Sequence, residues 1–134
     1  MTADLTCEAL FAKAIRACSS AQTLLDAGDV DGACNRAYYA MFDAARAALI
    51  ASHAPVPPEI AKTHSGLIAA FSLHLVKPNL FPIDLGRALN RAEDLRRVAD
   101  YKGDAIEIEE AQWAVQQAQA FLNEVEKRFM PDAA

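Results

Sequence analysis

Arg36 and Asp43 are the residues of this chain best placed to do chemistry. They stand seven positions apart, so on a helix both point the same way, about 10 Å apart along the axis. An arginine is suited to hold a phosphate or carboxylate, and a carboxylate beside it can bind or move a proton. A plainer arrangement is open too: Asp43 pairing with Arg46 at i, i+3 on the surface, with Arg36 facing solvent. Arg96 is the third candidate. It falls within an apolar stripe of Leu85, Ala88, Leu89, Ala92, Leu95 and Ala99, where an unpaired guanidinium is costly. Its partner is Asp100 at i+4 or Asp43 across the fold. Arg87, Arg91 and Arg97 lie off that stripe and read as solvated.

The remaining reactive side chains point to no further chemistry. Cys7, Cys18 and Cys34 are an odd set without C-x-x-C spacing, each on an apolar stripe where a reduced Cys acts as a small hydrophobe. His53, His64 and His74 lack the i, i+4 spacing of a helical metal pair, so neither a metal site nor a cofactor is expected.

The elements that must position Arg36 and Asp43 are helices. The chain has 134 residues, of which 53% are hydrophobic and 23% charged, with only 5 Gly and 6 Pro; this suits one soluble domain with a single core and few turns. The first helix is expected over 4–27, with Leu5, Ala9, Ala14, Cys18, Ala21 and Leu25 inward and Lys13, Arg16 and Ser20 on other faces, stopped by Gly28. Asp29 or Asp31 caps a second helix to about His53. Pro55, Pro57 and Pro58 interrupt the pattern. A third helix spans 59–76, or begins later at a Thr63 cap, with Ile60, Leu67, Ala70 or Phe71 and Leu75 or Val76 inward. The loop 78–82 leads to a fourth helix capped by Asp84 and ending near Tyr101 before Gly103. A fifth runs over 108–129 to Pro131, with Ile108, Ala111, Val115, Ala118, Leu122 and Val125 inward. Short connections between such helices give an antiparallel bundle of about five.

The second helix departs from the amphipathic rule. Between Ala37 and Ile50 its only charges are Asp43 and Arg46, so it is buried on more than one side, as a central helix or against another subunit. Cys34, Tyr38, Met41, Ala45, Ala48 and Leu49 share the core face. The opposite face carries Arg36, Ala40, Asp43 and Ala47, with Tyr39 and Ile50 at its edge, and its alanines allow a second helix to come close. Those six residues are the expected dimer seam.

Charge narrows the partners. The formal net charge is −5, and there is no basic run of the kind that gives duplex-DNA binding its affinity; any nucleic-acid contact is local, built from a few arginines. No apolar run approaches the ~18 residues of a membrane span, and the first residues lack the basic and apolar regions of a signal peptide. A cytoplasmic protein is expected.

The same residues carry a family signature. Cys34-Asn35-Arg36-Ala37-Tyr38-Tyr39-Ala40-Met41-Phe42-Asp43-Ala44-Ala45-Arg46 resembles the signature helix of the small prokaryotic HEPN domains, R-x-Y-Y-A-M-F-H-A-A. Lys62-Thr63-His64-Ser65-Gly66-Leu67 with Phe71 resembles their T-H-x-G-L…F segment, and Arg96-Arg97-Val98-Ala99-Asp100-Tyr101 their R-x-x-A-D-Y segment. The resemblance implies an all-α HEPN-like bundle that dimerises through the second helix, as one domain over 1–134. It further implies a metal-independent endoribonuclease, acting as a toxin beside a nucleotidyltransferase-fold antitoxin or in phage defence. Asn35, Arg36, Tyr39, Arg96 and Tyr101 are then the expected RNA- or nucleotide-binding set.

The family's active site is an Arg followed after four to six residues by a His. Arg36 matches the Arg, but positions 41–43 are Met41, Phe42 and Asp43. A His with a pKa near 6.5 can take the 2′-hydroxyl proton, whereas Asp, at about 3.9, is a weak base at neutral pH, and its charge repels the scissile phosphate. Three outcomes are open: a non-cleaving binding subunit, His64 serving as the base, or an Asp43 whose pKa is raised in a buried cleft. The catalytic set is therefore Arg36, Asp43 and His64. Family members can also be silenced by AMP transfer to a Tyr two residues after the His; that place holds Ala45, so no such modification is expected.

Overall fold

A computed structural model describes residues 6–102 and 106–130. Among them are six α-helices and no strand: α1 (Cys7–Asp26), α2 (Val30–Ala51), α3 (Pro58–Ala61), α4 (His64–Phe71), α5 (Ile83–Arg97) and α6 (Ile108–Phe129). α4 and α5 each run on into a wider π-helical turn, at Ser72–Val76 and Val98–Lys102. The fold is the expected all-α bundle.

Local chemistry sets the boundaries. Thr6 caps α1 by accepting from the Ala9 N–H at 3.0 Å. Gly28 ends the helix at φ 84°, with Gly28 N–H donating to Leu25 and Asp29 N–H to Leu24, the paired bonds of a Schellman motif. Asp29 at once caps α2 through the Gly32 N–H at 2.9 Å. One stop and one start thus share adjoining residues, and α1 and α2 fold back as a tight antiparallel hairpin. Two further helix ends use the same bonds without glycine, at His53 (φ 58°) and Asn79 (φ 64°).

The third expected helix is two. α3 is a single proline-initiated turn, and α4 begins at the Thr63 cap, which accepts from Gly66 N–H at 3.0 Å. A Cβ at position 66 would collide with the Ile60 carbonyl and the Thr63 hydroxyl, which is why glycine stands there. Asp84 does not cap α5: Pro82 precedes the helix and Asp84 lies inside its first turn, where its charge meets the helix dipole instead. α6 has the expected bounds and starts with a reciprocal capping box between Glu107 and Glu110. Leu5, Gly103 and Pro131 lie outside the described residues.

α2 is the centre of the molecule. Thirteen of its 22 residues are buried, with α1, α4, α5 and α6 packed around it. Seven of those buried residues are alanines, small enough to let neighbouring helices lie close. The expected core face from Cys34 to Leu49 is buried throughout. On α1 the stripe is shifted: Leu10, Phe11 and Ala17 are buried while Ala9 is exposed. Ile60 and Ile108, expected inward, are exposed near the ends of their elements. Phe71, Phe81 and Phe121 stack at one end of the core, with centroids 4.9–5.4 Å apart. The cysteines are free, and burial, then the charges of Asp31 and Glu110, push the Cys34 thiol up to about 11, leaving it inert.

Candidate functional site: a cationic cleft beside the central helix

The Arg36–Asp43 face of α2 does not meet empty solvent; α1 lies beside it. The two helices enclose a cleft of about 480 Å³, into which α1 sends Lys13, Arg16 and Ser20, and α2 sends Arg36, Asp43 and Arg46. Tyr39 and Phe42 form its aromatic wall. Four cations therefore converge on one carboxylate.

Asp43 is only 4% exposed. Its single ion pair among the described residues is with Arg46, Nη1 to Oδ1, at 4.0 Å, too long for a hydrogen bond. Burial pushes its carboxyl above the ordinary carboxylate range, against the pull of Lys13, Arg46 and Arg36. The Arg46 pairing read from the sequence is present, but as a loose contact inside a cleft rather than on the surface. Arg36, half-buried, has its guanidinium carbon 5.2 Å from the centre of the Tyr39 ring.

A second group braces Arg36 from behind. Its Nε donates to Asn35 Oδ1 at 3.2 Å, and Asn35 Nδ2 donates to both oxygens of Asp100 at 3.2 and 3.3 Å. Asp100 accepts in turn from Arg96 Nη1 at 3.4 Å, while Arg96 Nη2 donates to Glu93 at 2.8 Å. The π-helical turn at 98–102 sets Asp100 in this chain of contacts. Arg96 is 4% exposed, and its guanidinium also faces the rings of Tyr38, Tyr39 and Tyr101. Asp43 is not its partner: acids three and four positions away on the same helix are reached without any tertiary arrangement. The Nε of Arg96 has no acceptor among the described residues.

His64 stands at the first turn of α4, with Nδ1 hydrogen-bonded to Tyr38 Oη at 2.7 Å. Its ring packs against Tyr38, Tyr39 and Phe42 at 5.2–5.8 Å. Burial, then the charge of Glu93, raises the Tyr38 phenol well above its usual range, so it stays protonated. His64 touches the aromatic wall but does not line the cleft. The structure thus brings Arg36, Tyr39 and Asp43 together, links Asn35 and Arg96 to them, and leaves Tyr101 largely exposed at the rim of the Arg96 group.

The seam expectation needs correction. Ala40 and Ala47 have no exposed surface within the single chain, and Asp43 almost none. The helix that the small side chains admit is α1 of the same chain; of the six seam residues only Ile50 is exposed, at 46%. Sequence reading missed Lys13, Arg16, Ser20 and Glu93. The first three share the i, i+3, i+7 spacing of one helical stripe, a signal that a polar face of the first helix points at something other than bulk water.

Comparison with known proteins agrees with this geometry. The HEPN domain family model matches residues 7–128. A UPF0332 protein from Gloeobacter violaceus is 38% identical over 94 residues, covering 70% of this chain and 71% of that protein. A candidate toxin of Methanocaldococcus jannaschii is 32% identical over 122 residues, covering 90% and 79%. A UPF0332 protein from Thermotoga maritima is 34% identical over 110 residues, covering 80% and 78%. With the signature helix at its centre and the family model spanning nearly all its length, this chain belongs to the HEPN domain family.

Proposed function

We propose that this chain is an RNA-targeting HEPN module of the toxin kind, and that it holds RNA in the cleft between α1 and α2. The observation that carries the reading is the convergence of Lys13, Arg16, Arg36 and Arg46 on one cleft in a chain whose net charge is −5. Cations gathered against the overall sign of a protein mark where an anion is wanted. Tyr39 and Phe42 add flat faces on which an unpaired base can stack. The name of the Methanocaldococcus relative supports the toxin class.

The chemistry is that of an endoribonuclease with a departed active site. Arg36 is suited to stabilise charge that develops on a phosphate. Asp43 holds the place of the general base, and a carboxyl pushed upward by burial is a stronger base than a free one. A second reading, a non-cleaving RNA- or protein-binding subunit of a toxin–antitoxin or defence complex, is favoured by one observation: among the described residues no histidine lines the cleft. In either reading the chain works as a homodimer beside a nucleotidyltransferase-fold antitoxin.

The test is expression without any neighbouring gene, scored for growth arrest, RNA binding and cleavage of total RNA, beside Arg36→Ala and Asp43→His. We expect wild type to bind RNA, Arg36→Ala to bind poorly, and Asp43→His to cleave about 10²–10⁴-fold faster. Cleavage by Asp43→His alone selects the binding-subunit reading. A wild-type chain that neither binds RNA nor arrests growth overturns the proposal, and sedimentation as a monomer at micromolar concentration removes its dimer part.

A further inference from the structure

Asp43 poses a problem for any cleft that holds phosphate. An anion at its centre weakens the binding of another anion, and burying that carboxylate is unfavourable in itself. A buried carboxylate ordinarily accepts several hydrogen bonds from protein donors. Asp43, nine-tenths buried, has no such bond among the described residues, and its one cation stands 4.0 Å off. It nevertheless lines the cleft, so its acceptor capacity is turned to whatever enters there.

We propose that Asp43 is the ribose-selecting residue of the α1–α2 cleft, its carboxylate accepting a hydrogen bond from the 2′-hydroxyl of a ribonucleotide whose phosphate the surrounding cations hold. This rests on the RNA reading above and adds what the cleft selects. The 2′-hydroxyl is the donor that an RNA strand has and a DNA strand lacks. It lies next to the 3′-phosphate on the same sugar, so a site offering cations and one acceptor within a few side-chain lengths matches the order of groups along the strand. The cleft supplies that set: Arg36 and Arg46 flank Asp43 on α2, Lys13 and Arg16 oppose them from α1, and Tyr39 and Phe42, with ring centroids 6.2 Å apart, stand ready for the base. A deoxyribose strand meets the same carboxylate without a donor and is rejected. Asp43 thus turns its own repulsion into discrimination.

The experiment compares a fluorescent single-stranded RNA with strands of the same sequence carrying 2′-deoxy or 2′-O-methyl sugars, by anisotropy at one salt concentration, with strand integrity checked on a gel. For wild type we expect RNA to bind roughly tenfold tighter than either modified strand, as a hydrogen bond to a charged group gives. Asp43→Ala should bring the ratio close to one and bind the deoxy strand more tightly than wild type does. Asp43→Asn, of the same shape and still an acceptor, should keep part of the preference; circular dichroism on both variants establishes that they fold. Equal binding of the RNA and deoxy strands by wild type overturns the ribose assignment and leaves the RNA reading standing, as does an unchanged ratio in a folded Asp43→Ala. Failure of wild type to bind any of the strands overturns both.

Discussion

The charge on Asp43 has a stability consequence that can be read against pH. Its folded-state carboxyl is pushed above the ordinary range by burial, so the unfolded chain gives up this proton first as pH rises. Below the free value of about 3.9 both states are protonated and there is no penalty. Stability is then lost between that value and the raised folded one, and the loss persists at neutral pH. Asp43→Asn, which mimics the protonated form, should therefore be more stable than wild type at pH 7 and indistinguishable from it at pH 3. Urea unfolding at the two values decides; an equal gain at both would mean that packing rather than charge is responsible. His53 offers a second test at this scale. It ends α2 at φ 58°, a conformation that costs an L-residue about 1–2 kcal/mol, and its place in the Schellman motif asks only for a backbone N–H. His53→Gly should raise stability by about 1 kcal/mol, measured by the urea midpoint at unchanged slope.

At the scale of elements, the π-helical turn after α5 matters most. It places Asp100 between Arg96 and Asn35, so the end of α5 is tied to the residue beside Arg36. Arg96→Ala would leave Glu93 and Asp100 without their cation. Removing one partner of a buried pair costs about 3–5 kcal/mol, and because Asp100 is partly exposed we expect the low end, about 3 kcal/mol, in chemical unfolding. Asp100→Ala should cost much less stability yet loosen Arg36, lowering RNA affinity several-fold. Such a turn is hard to see in a sequence, because one widened turn leaves the apolar spacing on either side intact. The bounds of α6, the Gly28 stop and the burial of α2 were legible because they follow from spacing and capping alone. The partner of Arg96 was legible only as a choice between Asp100 and Asp43, with Glu93 overlooked. What covers Ala40 and Ala47 was not legible either, since small residues show that a helix comes close and not whose helix it is.

Across the whole molecule, the sign of the cleft opposes the sign of the rest. An acidic surface around a basic cleft keeps extended nucleic acid off the outside and leaves affinity to a few contacts. Single-strand binding loses about 0.7 in the logarithm of affinity per contact for each tenfold rise in salt. Four cations then give a slope of roughly −3, and Lys13→Ala or Arg16→Ala should each reduce it by about 0.7. A titration between low and moderate salt measures this. A much steeper slope would place RNA on more of the surface than this cleft. The family and its bundle were visible in three short segments, whereas the cleft was not, because it depends on which face of α1 turns towards α2.

The tight turn at Gly28 finally says something about time. Every side chain in the cleft lies between Lys13 and Arg46, on two helices joined by a short reversal, whereas the Asn35–Asp100 brace spans 65 positions. Closing a short loop costs less chain entropy than closing a long one, and local contacts form sooner than distant ones. As the chain folds, the hairpin that shapes the cleft should therefore assemble first and its brace last. Changes in the hairpin should then slow folding, and changes at Asp100 should mainly hasten unfolding.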